Sequence, residues 1–130
     1  FSIRVIGCRL SVARIRTVLP IRWTLPSTNW KSIPADRKVF MYINFSAIHY
    51  PNCHYVEGKK KDDKESHAAA LRYVDSQLPR LFEAFRRRSD TLVIALSDHG
   101  TCYGEDGYEY HCISHEKVYT VPYKHFILRK

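Results

Sequence analysis

From Val39 onward long apolar runs alternate with polar loops, whereas no hydrophobic period persists before it. Val39-Phe40-Met41-Tyr42-Ile43-Asn44-Phe45 is a nearly continuous run of β-formers, which suits a strand covered on both faces, as in a parallel sheet. Residues 46–62 read as a loop holding Pro51, Asn52, Gly58 and a solvated Lys59-Lys60-Lys61 turn. Leu71, Val74, Leu78, Leu81, Phe82 and Phe85 recur at three- and four-residue spacing and predict a helix over about residues 63–88. Asp62, Asp63 and Glu65 at its start and Arg86-Arg87-Arg88 at its end suit the helix dipole. Pro79 lacks a backbone donor and predicts a kink, or a second helix beginning there. Thr91-Leu92-Val93-Ile94-Ala95-Leu96 is a second buried strand, so residues 39–96 predict a strand-helix-strand parallel crossover. Gly100, Gly104 and Gly107 then mark a long loop, and the stretch from Val118 to Leu128 supplies a short strand near its end.

Residues 1–38 are different. Pro20, Pro26 and Pro34 punctuate them, and only residues 3–6 and 16–21 suggest short strands. They carry eight Lys or Arg against the single acid Asp36, whereas residues 39–130 carry thirteen basic and twelve acidic residues. The net charge of +8 therefore belongs to one basic leader, not to a face of the whole domain, and nucleic-acid binding is not expected as the main function. The 130 residues fit one domain, assigned to residues 39–130, preceded by the leader at 1–38. No window approaches the roughly eighteen apolar residues a membrane span needs. The four cysteines are irregularly spaced and read as reduced thiols of a cytoplasmic protein.

In an open parallel sheet, ligands bind beyond the carboxyl ends of the strands. The first strand runs into Ser46-Ala47-Ile48-His49 and the second into Ser97-Asp98-His99-Gly100. A turn at Gly100 lets Asp98 and His99 converge on one ion, and a carboxylate with an imidazole suits zinc, manganese or iron. The following loop adds Glu105, Asp106, Glu109, His111 and His115.

Residues 39–128 resemble the C-terminal part of the alkaline phosphatase/sulfatase superfamily. Ser97-Asp98-His99-Gly100, then Gly104-Glu105-Asp106-Gly107, then His111 is similar to the motif series of the lipid A phosphoethanolamine transferases. Thr120-Val121-Pro122-Tyr123 is similar to the stretch that enters a later strand in those enzymes. Asn44 to Pro51 resembles the sulfatase strand that ends in a pro-his pair, and the helix with Tyr73-Val74-Asp75 resembles the one preceding the metal strand.

The resemblance implies an α/β fold, a partial three-layer α/β sandwich with a mostly parallel sheet. It implies a metal-dependent hydrolase or transferase of phosphate or sulfate esters, with a small anionic ester as substrate. Asp98 and His99 would ligate a divalent metal, zinc or manganese, with calcium as an alternative. His111 would contact the transferred group or a second metal, His115 is a second candidate for that role, and His49 would bind the phosphoryl or sulfuryl oxygens. In such enzymes a Thr, Ser or Cys-derived nucleophile attacks while metal-bound. No residue of 1–38 matches that nucleophile: Cys8, Thr17, Thr24 and Thr28 lack its context. The chain therefore reads as the C-terminal portion of a larger enzyme, inactive alone and partnered by its missing N-terminal part.

Other residues have plainer readings. His54, His67 and His125 suit packing or surface positions, Asp75 a local hydrogen bond, and Glu105 and Asp106 a turn between glycines. The rival functional reading is a non-enzymatic zinc-binding or basic interaction module, with Cys53, His54, Cys102, Cys112 and His115 as a structural zinc set.

Overall fold

A computed structural model describes the backbone of residues 4–10, residues 33–34 and residues 36–130. The chain divides into two compact units, Phe1–Leu81 and Phe82–Lys130. The predicted strand at 16–21 lies outside the described residues.

In the first unit, β1 (Arg4–Leu10) pairs in parallel with β2 (Val39–Phe45), from Arg4 opposite Val39 to Leu10 opposite Phe45. Along β2 burial alternates: Phe40 and Tyr42 are each 57% exposed, so one face is open. The apolar run hid this period because both faces carry apolar residues. Short 3₁₀ turns follow at Ser46–Ile48 and Cys53–Tyr55. Helix α1 (Lys64–Arg86) comes next and runs unbroken through Pro79.

The start of α1 is set by side chains. The Asp63 carboxylate accepts the Ser66 N–H and the Ser66 hydroxyl accepts the Asp63 N–H, both at 2.9 Å, a reciprocal cap. The Ser66 hydroxyl also lies 2.6 Å from Asn52 Oδ1. Asp62 Oδ1 accepts the N–H groups of Asn52 and Cys53. Asn52 and Ser66 are fully buried, so the loop after β2 is welded to the helix start by a polar core. Lys59 is no solvated turn residue: its ammonium pairs with Asp63 and Glu65. The buried stripe of α1 is Ser66, Ala70, Val74 and Leu81, while Leu71, expected inside, is exposed.

In the second unit, β3 (Thr91–Leu96) pairs antiparallel with β6 (Tyr123–Leu128). Asp90 fixes one end of the pair by accepting the Lys130 N–H and an Arg129 N–H. On the inner face Phe82 meets Phe126 edge-on, ring centroids 5.6 Å apart. The outer face bears Leu92, Ile94, Leu96, Tyr123 and Ile127, all exposed. Between these strands lie β4 (Cys102–Tyr103), its antiparallel partner β5 (Glu109–Tyr110) and the one-turn helix α2 (Glu116–Tyr119).

This architecture corrects the expected partial three-layer sandwich with a mostly parallel sheet. Three two-stranded sheets are present among the described residues, and two of them are antiparallel. The crossover expected at 39–96 does not form, because β2 and β3 belong to different sheets. The physical reason lies after β3. The chain turns back through the 97–122 segment and delivers β6 alongside β3 in the opposite direction, a return that apolar runs alone do not encode.

Candidate functional site

The second unit gathers the chemistry at the carboxyl end of β3. The strand stops at Leu96, and Ser97 turns the chain by donating its hydroxyl proton to the His99 carbonyl at 2.6 Å. The His99 N–H donates to Asp98 Oδ1 at 3.1 Å. His99 Nδ1 lies 2.8 Å from the Gly100 carbonyl oxygen. A carbonyl only accepts, so Nδ1 carries a proton, and in the neutral ring the lone pair is then on Nε2. That Nε2 lies 3.9 Å from Asp98 Oδ1. Asp98 is largely exposed and His99 half-buried, so the pair stands at the surface of the unit.

The His111 ring stacks on His99, centroids 4.1 Å apart and planes 20° apart. His111 follows β5, which the 3₁₀ turn at Glu105–Gly107 brings back beside β4. Gly104 holds φ 102°, a left-handed conformation that glycine takes without strain, and its N–H donates to the Tyr108 carbonyl at 2.8 Å. Glu105 anchors the turn by accepting the Tyr103 N–H.

His115 is engaged at both ring nitrogens. Its Nδ1 accepts the Lys117 N–H at 3.1 Å and caps α2, while Nε2 pairs with Asp106 Oδ2 at 3.0 Å. His49 lies in the first unit, exposed, with its ring stacked on Tyr50 and Nδ1 2.7 Å from the Tyr50 carbonyl. The structure thus brings Asp98, His99 and His111 together and gives His115 a capping role.

Two ligands of one ion lie no farther apart than two metal–ligand bonds, about 4.2 Å for nitrogen and oxygen on zinc. The Asp98–His99 separation of 3.9 Å satisfies this, and the carboxylate–imidazole set fits a divalent cation. Among the described residues, no group of three or more His, Cys, Asp or Glu side chains is placed to hold a metal ion. Asp98 and His99 would be two members of such a site at most. The rival cysteine set does not assemble among the described residues either. Burial and the neighbouring Asp62 carboxylate push the Cys53 thiol pKa up, away from the thiolate a zinc site needs.

Sequence reasoning missed Asn52, Ser66 and the Asp106–His115 pair. Ser66 carried a readable signal, an N-cap acid three residues before a hydroxyl in Asp63-Lys64-Glu65-Ser66, whereas Asn52 meets it only through the fold. The third pair spans a folded loop and leaves no local pattern.

A family model described as Sulfatase matches residues 21–124. The match spans the two motif-bearing loops and most of the chain, and the chain belongs to the sulfatase family. No curated protein and no solved structure matches it. No helix among the described residues is long and apolar enough to cross a membrane.

Proposed function

We propose that this chain builds part of the active site of a metal-dependent hydrolase or transferase acting on a small anionic ester of sulfate or phosphate. The observation that carries this reading is the approach of Asp98 Oδ1 and His99 Nε2 to 3.9 Å at a strand end inside the family-matched segment. Asp98 and His99 hold a divalent cation there, zinc or manganese, with calcium as the alternative. When bound, such an ion supplies positive charge that offsets the negative charge building on the ester oxygens.

His111, stacked on His99, takes the non-bridging oxygens of the ester. The nucleophile and the remaining ligands come from further polypeptide of the same enzyme. The open apolar face of Leu92, Leu96, Tyr123 and Ile127 supports that arrangement, because such a face needs a cover. The few, irregularly spaced cysteines favour a reducing compartment, the cytoplasm. Neither a nucleic acid nor a membrane enters this reading.

The test is the enzyme expressed from its full reading frame, assayed on p-nitrophenyl sulfate and p-nitrophenyl phosphate with each cation. Turnover that a chelator and Asp98→Ala both abolish supports the proposal. Turnover that survives both, or hydrolysis of neither ester, overturns it.

A further inference from the structure

We infer that Gly100 is a positioning residue that decides which nitrogen of His99 is bare, an inference that rests on Asp98 and His99 acting as cation ligands. Three contacts meet at this glycine. Its carbonyl takes the His99 Nδ1 proton at 2.8 Å, which leaves the Nε2 lone pair on the side of Asp98 Oδ1. Its N–H donates to the Val118 carbonyl at 2.7 Å and ties the end of the metal strand to α2. Its Cα faces the Lys117 carbonyl so closely that a Cβ would collide with that backbone oxygen.

Three further glycines differ. Gly58, Gly104 and Gly107 have open space where a Cβ would stand, and their positive φ explains them. Gly100 has no such φ and serves by being small. The Ser97 hydroxyl on the His99 carbonyl and the Gly100 N–H on Val118 hold the backbone on both sides of the imidazole. The Gly100 carbonyl then stays beside Nδ1, and the ring takes one tautomer.

A side chain at Gly100 forces the 99–101 backbone away from α2 and swings that carbonyl off the ring. The loss reads as a mixed tautomer and a weaker cation site, by the roughly 10–100-fold typical of removing a ligand's outer hydrogen bond.

The experiment is a long-range nitrogen–proton correlation spectrum of the metal-free chain at a pH where His99 is neutral, with a zinc titration beside it. The parent is expected to show His99 protonated at Nδ1, with a coupling across the hydrogen bond to the Gly100 carbonyl carbon. Gly100→Ala is expected to populate the Nε2-protonated form and to weaken zinc binding about tenfold or more. A parent protonated at Nε2 overturns the inference, and so does a Gly100→Ala chain that keeps both the parent tautomer and the parent affinity. Should Gly100→Ala not fold, the parent spectrum decides by itself. A parent that shows the expected tautomer, lost in Gly100→Ala, but binds no zinc upholds the positioning role and defeats the hydrolase reading instead.

Discussion

The imidazoles of His99 and His111 lie face to face, 4.1 Å between centroids and 20° between planes. An imidazole nitrogen coordinates in the plane of its ring. An ion in the plane of His99 therefore stands about a stacking distance out of the plane of His111, so the two rings do not share one cation in this arrangement. On the proposed reading His99 would hold the cation beside Asp98, and His111 would meet the ester oxygens.

That division predicts unequal losses. His99→Ala should weaken zinc binding on the order of 100-fold, whereas His111→Ala should change it by less than about threefold. Isothermal titration of the two variants checks this, and equal losses would mean that both rings ligate.

His115 offers a second contrast. Its Nδ1 caps α2, so His115→Ala should accelerate hydrogen exchange at the Lys117 amide while leaving zinc affinity unchanged. A fall in affinity without faster exchange would restore His115 to the ligand set.

The polar core beside α1 predicts a stability effect far from the cation. Ser66→Ala removes the hydroxyl shared by Asn52 Oδ1 and the Asp63 N–H at a fully buried position. The expected cost is about 1–3 kcal/mol in urea unfolding, with an unchanged m-value. Amide exchange at His49 should also quicken, because Asn52 holds the Ile48 carbonyl at 3.3 Å.

These elements differ in how far the sequence reveals them. The 3.6-residue period announced α1 within two residues at each end, since an amphipathic stripe is a local signal. The strands at 39–45 and 91–96 stand where the apolar runs predicted, but their partners do not. In Leu92-Val93-Ile94 both faces are apolar, so alternation was invisible and an open face read as a covered one. Motif order singled out Asp98, His99 and His111, and the fold places His99 beside both of the others. The stacking, the Gly100 clamp and the Asp106–His115 pair depend on how residues 97–122 close on themselves.

Acid should destabilise the chain in two stages. Burial disfavours the His67 imidazolium and lowers its pKa below 6.5, so the unfolded chain binds that proton more tightly. Stability is full above about 6.5 and declines as pH falls below it. Asp63 is held below 3.8 by Lys59 and the Ser66 N–H, and Asp90 by the Lys130 N–H and Arg129. Their contribution is present above that value and is lost as pH falls further. The urea midpoint should therefore drop as pH falls below about 6.5 and again below about pH 4, and His67→Gln should flatten only the first drop.

The central claim is that Asp98 and His99 share a cation. Zinc titration of the parent, Asp98→Ala and Asp75→Ala tests it most directly, since Asp75 is an exposed carboxylate on α1. The account predicts parent-like affinity in Asp75→Ala and a loss on the order of 100-fold in Asp98→Ala. Identical binding by all three chains would contradict it.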